Sequence, residues 1–211
     1  MKTNKTAVIG GTGKSGKYLL NRLIENQYKL KILVRNPQDL TVDHSFVEIV
    51  KGDARDYESI LLLVSGCDAV ISTLGQPKGE PCVFSQATKN VVRAMLKCGI
   101  DRYIVTTGLS VNTSFDQKDP KVRFATDWMY DHYPETTRDK QVEYDYLSKS
   151  KIEWTSVRLP LIVQTEEKFP IEVNLGNCPG EKISSTDLAD FLIVQLSDKT
   201  YIRKSPFLSN I

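Results

Sequence analysis

The chain has 211 residues, of which 40% are hydrophobic and 26% charged, and its formal net charge is +2. These values predict one domain with a full core and exclude a broad basic surface for nucleic acid or a membrane. No apolar run approaches the ~18 residues of a membrane span, and the first residues lead directly into a strand, so we expect a cytoplasmic protein without a signal peptide.

Strand and helix patterns alternate along the chain, which predicts a parallel sheet with right-handed crossovers. The predicted strands span residues 6–10, 29–34, 46–50, 68–74, 102–107 and 153–159. The predicted helices span residues 14–26, 56–64, 83–98 and 134–150, and a last helix runs from a cap at residues 184–187 to Leu196. The expected fold class is therefore α/β, a single Rossmann-type doubly wound parallel sheet over residues 1–211.

Two stretches, residues 110–133 and 161–182, do not fit this alternation. Both follow the carboxyl ends of predicted strands, where open α/β sheets bind their ligands. We therefore expect them to form a small substrate side beside the main sheet.

A glycine-rich loop follows the first predicted strand and precedes an amphipathic stretch. A dinucleotide pyrophosphate needs this order, because the glycines permit a tight turn, a close approach of the backbone to the phosphates, and close packing of helix and strand. The free N–H groups and positive dipole end of the helix then face the anion. A P-loop is excluded, since the upstream glycine lies too close to the Gly-Lys-Ser triplet. The residues expected to bind the cofactor here are Gly10, Thr12, Gly13, Lys14, Ser15 and Gly16.

Arg35 ends the second strand region, where an NAD-specific site usually places an acidic residue on the ribose 2′-hydroxyl. A guanidinium suits a phosphate dianion, and the next acidic residue is Asp39. The sequence therefore predicts NADP (NADPH) as cofactor; the alternative is an arginine that only solvates a strand end. Asp53, after the third strand, would either accept from the adenine amine or cap the following helix.

Six segments together resemble the atypical short-chain dehydrogenase/reductases, namely the NmrA-like proteins and the flavin reductase/biliverdin reductase B group. These segments are VIGGTGKSG, LVRNP, KGDARD, DAVISTLG, RYIVTTG and SKSKIEWTSVRLP, and they cover nearly the whole chain. The resemblance implies a Rossmann unit with a reduced substrate region. It also implies that Thr73, Leu74 and Gly75 line the cofactor towards the nicotinamide, that Thr106 contributes to the cofactor site, and that the segment at Pro160 lies against the nicotinamide.

The resemblance also points to candidate catalytic residues at the end of the fifth strand. The family's catalytic serine position reads Thr106-Thr107 in this chain, and Ser110 follows closely. A threonine hydroxyl can donate a hydrogen bond to a carbonyl-type oxygen as serine does. We expect Thr107, or alternatively Ser110, to polarise an acceptor. A purely structural role is the other interpretation of Thr107, whose hydroxyl would then be bonded to the backbone at the strand end.

The superfamily's Tyr-x-x-x-Lys pair is incomplete. Its lysine falls on Lys140, but the tyrosine position holds Thr136, and the nearest tyrosine is Tyr133. Without a phenol to pass a proton, alcohol oxidation is disfavoured, whereas acceptors that need only hydride and a solvent proton remain open. Such acceptors include flavins such as FMN, quinones and linear tetrapyrroles, and Lys140 would then hold the ribose hydroxyls.

The remaining polar and aromatic candidates are weaker. His44 lies in a polar loop, His132 lies in the variable region, and the cysteines show no metal-site spacing, so we expect reduced thiols and no metal. Five side chains are either an aromatic wall for a flat acceptor or local core: Phe115, Phe124, Trp128, Met129 and Tyr130.

The sequence favours an NADPH-dependent oxidoreductase that transfers hydride to a small planar acceptor. One rival is a redox-sensing protein that binds the dinucleotide without turnover, as some NmrA-like members are thought to do. A second is a sugar-nucleotide epimerase or dehydratase, which the incomplete tyrosine–lysine pair disfavours. We expect a small-molecule partner, no nucleic acid, and a monomer or weak homodimer.

Overall fold

The computed structural model describes residues 5–40 and 45–211, so His44 lies outside the described residues. The strands are β1 (Lys5–Ile9), β2 (Lys29–Val34), β3 (Val47–Lys51), β4 (Ala69–Ser72), β5 (Arg102–Gly108), β6 (Glu153–Leu159), β7 (Leu161–Val163), β8 (Ile171–Asn174), β9 (Lys182–Ser184) and β10 (Phe207–Asn210). The helices are α1 (Gly16–Glu25), α2 (Tyr57–Val64), α3 (Phe84–Cys98), α4 (Pro120–His132), α5 (Pro134–Ser148) and α6 (Ser185–Val194), and a short 3₁₀ turn spans Pro37–Asp39.

The main sheet has eight strands in the order β3-β2-β1-β4-β5-β6-β10-β8. Every neighbouring pair is parallel except β10 and β8, which are antiparallel. The strand order reverses between β1 and β4, and this switch point opens a crevice at the carboxyl ends of the strands. The α/β doubly wound fold class is confirmed.

Side chains of each strand alternate between two helical layers. In β4, Val70 packs with the core on the side of α2, α3 and α5, whereas Ile71 packs with the core on the side of α1 and α6. In β5, Tyr103 and Val105 lie on the α3/α5 side and Ile104 lies on the opposite side. Because this alternation continues to the strand end, it also decides which layer each candidate catalytic side chain can meet.

Several predicted boundaries are confirmed and others are corrected. The side chain of Asp56 caps α2, that of Ser184 caps α6, and Pro134 begins α5, as predicted. The first helix was predicted to begin at residue 14. In the structure α1 begins at Gly16, and the residues before it belong to the loop. Helix α4 and strands β7 to β10 were not predicted. Helix α4 buries only Val122 and Thr126, so its periodic apolar signal is weak.

The substrate-side stretches are anchored by Arg158, whose side chain is fully buried at the end of β6. Its guanidinium donates to the carbonyls of Ser205, Val111 and Leu175 at 2.9, 3.3 and 2.8 Å. It also donates to the Asp116 carboxylate at 2.5 Å. One side chain thereby joins the segment after β5, the loop after β8 and the C-terminal segment.

We expect Arg158→Met to lower the free energy of unfolding by about 3–5 kcal/mol, because the largely buried Asp116 carboxylate and three carbonyls lose the hydrogen bonds that Arg158 donates. Urea unfolding followed by circular dichroism measures this loss. Arg138→Met, at an exposed position of α5, is the matched control and should change stability by less than about 0.5 kcal/mol. Equal effects of the two variants would contradict the anchoring role.

Candidate functional site

A groove of about 550 Å³ follows the switch point between β1 and β4. Ten of the predicted cofactor residues line it: Gly10, Thr12, Gly13, Lys14, Ser15, Arg35, Asp53, Thr73, Leu74 and Gly75. Three more predicted cofactor residues, Gly16, Thr106 and Pro160, are outside its lining. Further lining residues that the sequence did not single out include Arg55, Gln76, Val83 and Ile162.

The glycine loop brings the amino end of α1 against the ends of β1 and β4. Gly10 adopts a left-handed φ of +79°, and a Cβ there would lie 2.8 Å from backbone atoms of Thr73 and Leu74. A Cβ on Gly16 would lie 1.9 Å from the carbonyl oxygen of Gly10. Only glycine fits at these two positions, because the opposing atoms are backbone that cannot rotate away.

The first turn of α1 presents amide groups to the groove. Ser15 precedes the helix but its side chain makes no capping hydrogen bond. In the described part of the chain, the N–H groups of Lys14, Ser15 and Gly16 have no protein acceptor. Unpaired amides at a positive helix end are a binding site for a phosphate anion. The cradle around Gly13 therefore fits the pyrophosphate of a dinucleotide.

A network of two arginines and two carboxylates lies at the far rim of the groove. Arg35 Nη1 donates to Glu80 Oε1 at 2.7 Å, and Arg55 Nη2 lies 2.8 Å from Glu80 Oε2. Arg55 also binds Asp53 through its backbone N–H, Nε and Nη2, at 2.8, 3.0 and 2.6 Å. The hydrogen bond from Arg35 holds the pKa of Glu80 below its usual value, and that from Arg55 lowers the pKa of Asp53. Asp53 does not cap α2, because Asp56 does so.

Glu80 lies at this rim because it belongs to a turn whose backbone carbonyls accept hydrogen bonds from the Gln76 side chain. The Gln76 side-chain amide donates to the carbonyls of Pro77, Glu80 and Pro81 at 3.1, 2.8 and 3.3 Å. Gly79 in this turn has a left-handed φ of +74°. The turn is stabilised by one side chain, and it fixes the backbone of Glu80 beside the groove.

Thr107 lies at the end of β5 on the α3/α5 side, and Lys140 contacts the same strand end through the backbone of Thr106. The strand alternation places Thr107 in the same layer as Tyr103 and Val105. Its hydroxyl is buried and has no hydrogen-bond partner among the described residues. Lys140 Nζ donates to the backbone carbonyl of Thr106 at 3.4 Å and lies 3.6 Å from the centre of the Phe84 ring.

Beneath this position is a polar cluster that the sequence did not reveal. Glu143 Oε2 lies 3.8 Å from Lys140 Nζ, and Glu143 Oε1 accepts from the Thr88 hydroxyl at 2.6 Å. Thr88 is in turn 3.1 Å from the Tyr103 hydroxyl. Burial raises the pKa of Glu143 and lowers that of Lys140, because desolvation disfavours both charges. The only sequence signal for this cluster was the i, i+3 spacing of Lys140 and Glu143 on one helix.

The other catalytic candidates are placed differently. Ser110 is buried, and its carbonyl accepts from Lys118 at 3.4 Å. Tyr133 is 53% exposed and caps α5 outside the groove lining. The His132 ring stacks on Trp128 with ring centres 4.3 Å apart.

The five residues of the suggested aromatic wall do not share one cleft. Phe115 lines a small cleft with Tyr144 and Trp154, whereas Trp128 stacks with His132 and makes an edge contact with Tyr133. Phe124 is 72% exposed.

Among the described residues no group of His, Cys, Asp and Glu is arranged to hold a metal ion. Nor does any described helix combine the length and apolarity of a membrane crossing.

Comparison with known sequences identifies the family. Residues 10–199 match the profile of a family described as NAD(P)H-binding. The chain belongs to this NAD(P)H-binding family. Cinnamoyl-CoA reductase 1 from Petunia hybrida is 27% identical over 128 residues, which cover 54% of this chain and 38% of that protein. Isoflavone reductase homolog A622 from Nicotiana glauca is 35% identical over 111 residues, covering 48% of this chain and 34% of that protein. The chain thus spans 34–38% of the length of these relatives.

Solved structures of similar proteins share the fold. A short-chain dehydrogenase/reductase from Veillonella parvula, in complex with NADP, has a TM-score of 0.81 at 17% identity, with 98% of this chain and 94% of that chain covered. ChuY, an anaerobilin reductase from Escherichia coli O157:H7, has a TM-score of 0.83 at 17% identity, with 98% and 97% covered. At this identity the likeness shows the fold, and the NAD(P)H-binding assignment rests on the family match.

The two loop glycines should separate binding from folding. We expect Gly13→Val to abolish dinucleotide binding in a folded protein, because a Cβ there meets only the Gly10 carbonyl, at 3.1 Å, whereas the branched side chain enters the phosphate cradle. Gly16→Ala should instead lower the free energy of unfolding by about 2 kcal/mol or more, since its Cβ overlaps backbone. Calorimetric titration with NADPH and thermal unfolding measure the two effects. Unchanged NADPH affinity in Gly13→Val would remove Gly13 from the site.

Proposed function

We propose that the protein is an NADPH-dependent oxidoreductase that transfers hydride to a small planar acceptor. The observation that carries this proposal is one groove lined both by Lys14 and Ser15, whose amides have no acceptor in the described part of the chain, and by Arg35 and Arg55. Both features recognise phosphate, and we assign them to the pyrophosphate and the ribose 2′-phosphate of one cofactor. The similar Veillonella structure in complex with NADP supports the same choice.

The cofactor would be held by residues from several elements. The glycine loop takes the pyrophosphate, while Arg35 and Arg55 take the 2′-phosphate through planar, permanently charged guanidinium groups. Asp53 keeps Arg55 in place through three hydrogen bonds. Thr73, Leu74 and Gly75 line the groove towards the opposite end, where Ile162 follows β6. Lys140 would hold the ribose hydroxyls at the nicotinamide side.

The chemistry at the acceptor follows from the residues at the end of β5. When bound, the reduced nicotinamide supplies a hydride. The Thr107 hydroxyl is buried and has no partner among residues 5–40 and 45–211, and we assign it the donation of a hydrogen bond to an acceptor oxygen. Thr136 stands where the superfamily has its tyrosine, so the chain offers no phenol there and the proton would come from water. This favours flavins such as FMN, quinones or linear tetrapyrroles as acceptors.

A second candidate is a redox sensor of the NmrA-like kind, which would bind the dinucleotide without turning it over. The buried position of the Thr107 hydroxyl and the threonine at position 136 favour it. In either case we place the cofactor in one domain spanning residues 1–211, with residues 110–133 and 161–182 on the substrate side. An epimerase or dehydratase activity is disfavoured, because this chain lacks the tyrosine on which such enzymes depend.

Turnover distinguishes the two candidates. We expect oxidation of NADPH, followed by its absorbance, with at least one of FMN, a quinone and dichlorophenolindophenol. Thr107→Val should lower kcat/KM by about tenfold without changing the Kd for NADPH, because one hydrogen bond to the acceptor is lost. Thr107→Ser, which keeps the hydroxyl, is the control. Tight NADPH binding with no turnover across the panel would favour the sensor.

Cofactor choice is tested separately at the rim. We expect Arg35→Gln to weaken NADPH binding by about tenfold or more and NADH binding by less than twofold, because only NADPH carries the 2′-phosphate. Isothermal titration with both cofactors measures the ratio, and Arg138→Gln serves as an exposed control on α5. An equal loss for the two cofactors would exclude Arg35 from the 2′-phosphate site.

A further inference from the structure

We infer that the Glu80 carboxylate competes with the 2′-phosphate of the cofactor for Arg35 and Arg55, and that Glu80 therefore sets the discrimination between NADPH and NADH. This inference rests on the proposed function, since it assumes that a nicotinamide dinucleotide binds in the groove. It adds a residue from the turn after β4 that neither the glycine motif nor the family match assigns to cofactor choice.

The contacts of Glu80 are those that a phosphate would make. One carboxylate oxygen lies 2.7 Å from Arg35 Nη1, and the other lies 2.8 Å from Arg55 Nη2. The carboxylate thus bridges two guanidinium groups that come from the segments after β2 and β3. Guanidinium groups bind carboxylate and phosphate oxygens through the same N–H donors, so the two anions cannot use these donors at once.

The surrounding residues allow the exchange. The side chains of Arg35, Glu80 and Arg55 are 54%, 34% and 33% exposed, so no core packing holds the carboxylate. The backbone of Glu80 is fixed by Gln76, which leaves only the side chain to swing away. Arg55 keeps its hydrogen bonds to Asp53 when Glu80 departs, and so remains aimed at the groove rim.

Charge determines the consequence for specificity. Arg35 and Arg55 contribute two positive charges, and Asp53 and Glu80 contribute two negative charges, so the cluster is neutral as it stands. A 2′-phosphate dianion must displace one carboxylate from a neutral cluster. A ribose 2′-hydroxyl carries no charge and meets no such competition, so Glu80 penalises NADPH selectively.

The test compares two ligands that differ only in the 2′-phosphate. Adenosine 2′,5′-bisphosphate and 5′-AMP are titrated calorimetrically into the wild-type protein and Glu80→Gln, and NADPH and NADH are then titrated in the same way. We expect Glu80→Gln to bind adenosine 2′,5′-bisphosphate and NADPH about tenfold more tightly, and to bind 5′-AMP and NADH within twofold of the wild-type protein. Glu80→Ala should reproduce the direction, and thermal unfolding checks that both variants are folded.

Glu25→Gln is the matched control. Glu25 also receives a hydrogen bond from an arginine, Arg22, at 2.8 Å, but it is the last residue of α1, at the opposite end of that helix from the groove. Its removal changes net charge by the same amount and should leave all four affinities unchanged. If Glu25→Gln tightens the 2′-phosphate ligands as much as Glu80→Gln does, the effect is one of net charge and the inference is overturned.

Three further results would also overturn it, and they differ in what else they affect. Weaker binding of the 2′-phosphate ligands by Glu80→Gln would show that Glu80 positions the arginines. Equal affinities of the wild type and Glu80→Gln, with NADPH still preferred to NADH, would refute the competition and leave the proposed function standing. If the wild type binds neither NADPH nor NADH, the proposed function fails with it.

Discussion

The close contact between Gly16 and the carbonyl of Gly10 is the constraint on which the rest of the site depends. It lets α1 begin against the end of β1, and Gly10 in turn lies against the backbone of Thr73 and Leu74 after β4. Any side chain at these glycines would push the helix away from the switch point. Because the contact is made of backbone, it aims the free amides of the first helical turn into the groove without help from a capping side chain.

Charge along the groove complements this backbone site. The amides of α1 supply partial positive charge at the centre, while Arg35 and Arg55 supply full charges at the rim. Arg55 is paired with Asp53, and this pair orders a side chain that would otherwise be mobile on a partly exposed surface, whereas Glu80 occupies donors that a phosphate would use. Ion pairs at such exposure contribute little to stability, so the value of the Arg55–Asp53 pair lies in the geometry that it imposes on Arg55.

The sequence predicted the site residues that belong to local motifs, and it missed the contacts between residues that are far apart in the chain. The glycine loop and Arg35 could be placed because each directly follows a strand with a clear pattern, whereas the segment at Thr73 was placed by the family resemblance. Glu80 could not be linked to Arg35, because the two are 45 residues apart and meet only through a turn that Gln76 closes. Strands β7 and β9 are three residues each, too short for an alternating pattern to be read.

Burying the polar cluster behind β5 costs desolvation free energy, so a gain in stability does not explain why the chain has this cluster. Lys140 and Glu143 are both withdrawn from water, and one Glu143 oxygen has no hydrogen-bond partner among the described residues. Apolar residues of similar volume would serve packing at least as well, since desolvation of such a pair offsets its attraction. The cluster also lies directly beneath the end of β5, where Thr107 carries a second unpartnered polar atom. Buried unpartnered atoms also occur elsewhere in the described residues, at Trp154 and Ser209 among others, so what distinguishes this edge of the sheet is the buried Lys140–Glu143 pair next to it, which favours selection for chemistry over selection for stability.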